Sequence, residues 1–148
     1  MKFRKGFVSN SSSSSFVVID RSNGPLVIPN IKGSEFEVGK LGETEFGWGP
    51  ETIDDIFSRI NFAYIQALYG HKDWVDMLDD VLKEYLKVDT IVNCITVDYD
   101  VHNLICGYID HASSAQEGQN TEIFDDRDTL IRFLFGPKSY IELDNDNG

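Results

Sequence analysis

The stretch that most constrains this chain runs from residue 50 to 87. Two apolar stripes recur there at helical spacing on either side of a single glycine. In the first, Ile53, Ile56, Phe57, Ile60, Tyr64, Ala67 and Leu68 share a face, as a 3.6-residue period requires of a helix with one buried stripe. Pro50 or Glu51 opens it, since proline is tolerated in a first helical turn, and Gly70 ends it. The second, from about Lys72 to Lys87, turns Trp74, Leu78, Val81, Leu82 and Tyr85 inward and Asp73, Asp76 and Asp80 outward. Asp79 and Lys83 form an i,i+4 pair, and His71, just after the helix stop, takes a local capping role.

Around these helices the chain reads as strands. Phe16 to Ile19 is a β-branched and aromatic run, suited to a strand buried on both faces. Asn23-Gly24-Pro25 turns the chain, and Leu26 to Ile28 forms a short strand stopped by Pro29. Ser34 to Val38 alternates polar and apolar residues, as a half-exposed strand does. Gly39 to Pro50 is a glycine-rich loop with Phe46 and Trp48 as anchors, without phosphate-loop spacing. Thr90 to Tyr99 is the strongest strand, and Leu104 to Ile109 returns as its hairpin partner. Asp125 or Asp126 caps a third helix, packed by Leu130, Ile131, Phe133 and Leu134, and Gly136-Pro137 stops it. Ser139 to Leu143 is a last strand, placed at a sheet edge, before an acidic tail over 144–148. The expectation is one α+β domain over residues 1–148, a mixed and mostly antiparallel sheet of about five strands packed by three helices.

At 148 residues, with 41% hydrophobic and 12% aromatic residues, the chain can bury a real core. No apolar run approaches the roughly 18 residues of a membrane span, and the opening lacks a signal-peptide pattern. These features point to a cytoplasmic protein. The net charge of −12 is uneven: Met1 to Arg21 carries +3 and the remainder −15. An acidic body discourages direct contact with nucleic-acid backbone and favours basic partners. Cys94 and Cys106 lack metal-site spacing and read as buried reduced thiols. If their strands pair as a hairpin, the two lie opposite each other.

The most biased segment is the first twenty residues. A basic head (Lys2, Arg4, Lys5) leads through Phe7 to Ser9, Asn10, Ser11, Ser12, Ser13, Ser14 and Ser15, then into Phe16. Serine hydroxyls compete for backbone hydrogen bonds, so such a run favours turns and extended chain over helix. It admits two readings, a solvated linker or an ordered surface loop between anchored Phe7 and Phe16 that docks to a partner. The segment RKGFVSNSSSSSFVV resembles the N-terminal signature of a group of small uncharacterised bacterial and phage proteins. Gly107 to Ser114 and Arg132 to Asn147 are similar to further segments of that group. The resemblance covers about a third of the chain. It implies a phage or mobile-element context, with the host cytoplasm as location, and brings no catalytic residue with it.

Titratable side chains concentrate near strand ends at Asp98, Asp100, His102, Asp110 and His111. Asp98 and Asp100 fall on one face of an extended strand, and carboxylates with imidazoles can serve as acid and base or hold a divalent ion. The same residue types also populate turns. No metalloprotease motif or nucleophile elbow accompanies them, and the pattern calls for no metal or cofactor. Three readings follow: a non-catalytic interaction protein docking a protein partner through its serine segment, a small metal-dependent hydrolase or phosphodiesterase using the Asp/His cluster, and an acidic DNA mimic that inhibits a basic host protein.

Overall fold

A computed structural model of the chain describes residues 13–46, 51–98, 104–109 and 121–145. Among these residues the elements run β1 (Ser13–Val18), β2 (Glu35–Val38), β3 (Glu45–Phe46), β4 (Glu51–Ile53), α1 (Ile56–Leu68), α2 (Lys72–Leu86), β5 (Thr90–Asn93), β6 (Ile95–Thr96), β7 (Ile105–Cys106), β8 (Tyr108–Ile109), a 3-10 turn (Thr121–Phe124), α3 (Arg127–Phe135) and β9 (Tyr140–Asn145). This is the expected α+β class with its three helices.

The first helix starts later than Pro50 because a better cap lies downstream. The Asp55 carboxylate accepts the Ser58 N–H at 2.9 Å, satisfying one of the donors that a helix start leaves open. Ile53 therefore belongs to β4, where it is buried. Every residue of α1 from Ser58 to Ala67 is buried, so the helix is covered on all sides and not along one stripe. Two of its polar members are matched from the 39–44 loop: the Asn61 amide donates to the carbonyls of Leu41 (2.7 Å) and Glu43 (2.9 Å), and Ser58 Oγ accepts the Glu43 N–H (2.8 Å). Gly70, at a φ of 107°, turns the chain toward α2 in a conformation that other residues rarely adopt. The His71 N–H then closes on the Ala67 carbonyl at 2.9 Å.

In α2, Asp79 does not reach for Lys83. Its carboxylate accepts the Tyr64 hydroxyl of α1, and the pair on the outer face is Lys72–Asp76 at 3.2 Å. Burial and the Asp79 carboxylate together push the Tyr64 phenol far above its usual range.

Two strand systems complete the fold. In the first, β9 lies at the centre with β1 and β4 antiparallel on its two sides: Ser13 faces Asn145, Val18 faces Tyr140, and Ile53 faces Ile141. The last strand is thus central and not an edge: both of its backbone sides are paired, and the face that carries Ile141 and Leu143 is buried. Asp144 and Asn145 extend it into the acidic stretch expected to be tail.

The second system is three parallel pairs, β2 with β5, β6 with β7, and β8 with β3. Each of the runs 35–46, 90–96 and 105–109 pairs with both of the others. The middle run changes partner at Cys94, whose N–H donates to the Val38 carbonyl (3.0 Å) while its C=O accepts the Ile105 N–H (2.9 Å), and the Asn93 side-chain amide bonds the N–H (3.0 Å) and C=O (3.1 Å) of Ile95 beside it. Ile95 sits at the point of closest approach, where a Cβ on Gly39 or Gly107 would come within 2.7 or 2.6 Å of its side chain. The pairing of the 90–96 run with the 105–109 run is therefore parallel and not a hairpin. Ile95 faces Ile105 and Thr96 faces Cys106, so the two free, half-buried cysteines are offset by one side-chain step and do not oppose each other. Leu26 to Ile28 is not a strand; Val27 N–H donates to the Phe135 carbonyl (2.8 Å) and Leu26 packs against the core.

Candidate functional site

The serine run ends inside the sheet. Ser13, Ser14 and Ser15 are strand residues of β1, opposite Asn145, Asp144 and Leu143, where an ordered loop was expected. A serine gains little from burial, so what orders these three must come from the backbone ladder and from whatever fixes the strand's ends. Phe7, Ser9, Asn10, Ser11 and Ser12 lie outside the described residues, as does the side chain of Phe16.

One such fixing point follows directly. Asp20, two residues beyond β1, is only 4% exposed. Its Oδ1 accepts the Ser22 N–H (3.0 Å) and hydroxyl (2.7 Å), and its Oδ2 accepts the Lys138 N–H (3.1 Å). The Arg132 guanidinium lies 3.3 Å from Oδ1, and its Nε donates to the Asp20 carbonyl at 3.0 Å. The Asp20 N–H donates to Ser139 Oγ (2.8 Å), whose hydroxyl donates to the Arg132 carbonyl (2.7 Å). Every polar group of Asp20 is therefore matched by Ser22, α3 or the turn after it. The Ser22 hydroxyl and amide hold the Asp20 carboxyl far below the usual carboxylate range, with the Lys138 N–H and Arg132 adding to the effect against the opposing pull of desolvation.

Gly136 is required where α3 meets this clamp. Its φ of −70° is open to any residue, but a Cβ would stand 2.4 Å from the Arg132 carbonyl and 2.7 Å from Asp20 Cβ. From below, buried Arg59 of α1 donates to the carbonyls of Phe133 and Gly136, both at 2.9 Å, taking up acceptors that the end of α3 leaves open. Burial pushes the Arg59 guanidinium down, while Asp54, Asp55 and Asp20 pull it back up. At the start of α3, Asp126 caps the Thr129 N–H at 2.7 Å, and that bond lowers its carboxyl. The clamp reaches solvent through a polar recess of about 160 Å³ lined by Arg21, Ser22, Asn23 and Arg132.

Of the Asp/His cluster, Asp98 is described. It is exposed at the end of the 90–96 run, and its N–H donates to Thr96 Oγ1 at 3.0 Å, an ordinary hydroxyl-to-backbone turn contact. Asp100, His102, Asp110 and His111 lie outside the described residues. Among the described residues no three His, Cys, Asp or Glu side chains gather closely enough to hold a metal ion, and no helix is long and apolar enough to cross a membrane.

His71 has the capping position of α2 but makes no capping bond. Its imidazole lies flat on Trp74 (centroids 3.7 Å apart, planes at 13°), and Trp74 lies flat on Phe124 (4.4 Å, 5°). Neither the Asp20 clamp nor this three-ring stack follows from motif reading. The Asp-x-Ser spacing at residues 20–22, typical of a local carboxylate-to-backbone turn, is the signal that could have pointed to Asp20. No protein-family model, curated protein or solved structure matches the chain.

Proposed function

We propose that this chain is a non-catalytic interaction protein, an accessory factor of the phage or mobile-element kind that its opening resembles, and that its N-terminal serine segment docks on a protein partner. The observation that supports this reading is that β1 is an edge strand of its sheet among the described residues. Natural sheets guard their edges with charged residues, proline or bulges. From Ser9 to Ile19 this chain has no charge and no proline, whereas the opposite edge, β4, follows Pro50 and begins with Glu51. An unguarded edge backed by a clamp at Asp20 suits strand addition, in which an extended segment of the partner bonds to the edge backbone. The serine hydroxyls supply further donors and acceptors without the apolar surface that drives aggregation. The acidic body favours a basic partner.

The test is capture from host-cell lysate, comparing the full chain with a variant in which Ser14→Lys, which strand alternation sets on the face opposite buried Val17, guards the edge. The reading expects a specific protein captured by the first and lost by the second, with urea melts showing that both chains are folded. Equal capture by both chains would refute it. So would a full chain that self-associates through this strand in sedimentation and captures nothing.

A further inference from the structure

The corner between α1 and α2 carries a separate feature that does not depend on the serine segment. Phe124, Trp74 and His71 stack in that order, within 13° of parallel, from the buried Phe124 outward. Beside the last ring opens an apolar recess of about 440 Å³, lined by Ala67, Leu68, Gly70, His71, Lys72, Val75 and Asp76. His71 is the only ring of the stack that borders it. Gly70 leaves its floor bare: a Cβ placed there would meet no atom within 4 Å. A stack that ends against an open apolar hollow of this size has room for one further planar ring.

The charge around the recess selects what that ring belongs to. Asp79 of α2 accepts the Tyr64 hydroxyl, and Asp80 and Glu84 pair with Arg127, so the carboxylates near the recess are Asp73 and Asp76, on a chain of net charge −12. Asp73 and Asp76 are exposed in its first turns, and only Lys72 beside the recess offsets them. A phosphate-bearing ring, such as a nucleotide, would meet net negative potential, while a cationic peptide would be drawn to it. Aromatic rings contribute beyond their buried area when offset-stacked, and flanking lysine or arginine would lie near Asp73 and Asp76.

We infer that the recess beside His71 binds a basic peptide segment through one aromatic side chain stacked on the His71 imidazole. The probe is acetyl-Arg-Lys-Phe-Lys-Arg-amide, titrated into the full chain while the amide resonances of Gly70 to Asp76 are followed by NMR. Saturable shifts confined to this corner are expected. Replacing the peptide's Phe by Ala should weaken binding by about three- to tenfold, the worth of a ring pair. His71→Ala should weaken it by a similar factor and His71→Tyr, which keeps a flat ring, should restore it. Since His71→Ala could disturb the turn, Asp73→Asn provides a second variant at an exposed position and should weaken binding while leaving the melt unchanged. The inference is overturned if the corner shows no shifts at millimolar peptide. It is equally overturned if the Ala peptide binds as well as the Phe peptide, or if adenosine monophosphate binds there more tightly than either.

Discussion

Replacing Ser139 by alanine tests whether the Asp20 clamp holds the serine strand in place. Ser139 is 1% exposed, and its hydroxyl accepts the Asp20 N–H at 2.8 Å while donating to the Arg132 carbonyl at 2.7 Å. The two lost bonds are not equivalent. The Arg132 carbonyl keeps the Gly136 N–H at 2.9 Å, so it remains satisfied. The Asp20 N–H has no substitute, because alanine ends at Cβ and the site is closed to solvent. A buried donor left without a partner costs about 1–3 kcal/mol. For a chain of this size that corresponds to a melting temperature lower by about 2–12 °C. Urea unfolding should show the same loss as a shifted midpoint with an unchanged slope, since the surface exposed on unfolding is the same. Ser22→Ala, which removes a bond at an exposed residue, should cost less. If Ser139→Ala falls within about 0.5 kcal/mol of the parent, the range of an ordinary surface change, the clamp is not what holds this end of the sheet.

Three further outcomes follow from the packing and the charges. Gly136→Ala should destabilise by about 1–3 kcal/mol through overpacking against Arg132 and Asp20, measured by urea melts, whereas Gly24→Ala, whose nearest contact would be Ser22 Oγ at 3.4 Å, should cost much less. Ile95→Ala should cost about 2–5 kcal/mol, because the side chain wedged between Gly39 and Gly107 leaves a cavity that three mutually paired runs cannot close. Stability should fall as pH drops below about 5: the unfolded chain takes up a proton on Asp20 near its ordinary value while the folded carboxyl resists it. Asp20→Asn should flatten that acid limb and leave the slope above pH 5 unchanged.

The helices were legible because their signals are local. Lys72 to Leu86 and Arg127 to Phe135 have apolar residues at the right spacing and stop where the chain cannot continue. Asp126 is the cap that its position suggested. The start of α1 was misplaced because two local preferences competed, proline at a first turn and aspartate as a cap, and the carboxylate with a free N–H to accept prevailed. Strand pairing was not legible, since it depends on partners distant in sequence. Nothing in residues 90–109 alone distinguishes a hairpin from two parallel runs. What distinguishes them is the 35–46 run, which pairs with both and brings Gly39 against Ile95. The Asp20 clamp stayed hidden for the same reason: its partners at Arg132, Lys138 and Ser139 lie more than a hundred residues away, and only the Ser22 contact is local. Among the candidate site residues, Ser13 to Ser15 were singled out by composition, but a run of one residue type does not reveal whether it is loop or strand.

Amide hydrogen exchange over residues 13–18 tests the central claim, that the end of the serine run is a held edge strand fit to receive a partner. In an antiparallel edge strand, alternate amides bond to the neighbouring strand. The account predicts that, among Ser13 to Val18, the amides directed at β9 exchange at least about a hundredfold more slowly than an unstructured chain, and that Ser139→Ala selectively speeds them. Exchange of Ser13, Ser14 and Ser15 at the unstructured rate in the parent protein would contradict it and return the run to the status of a linker.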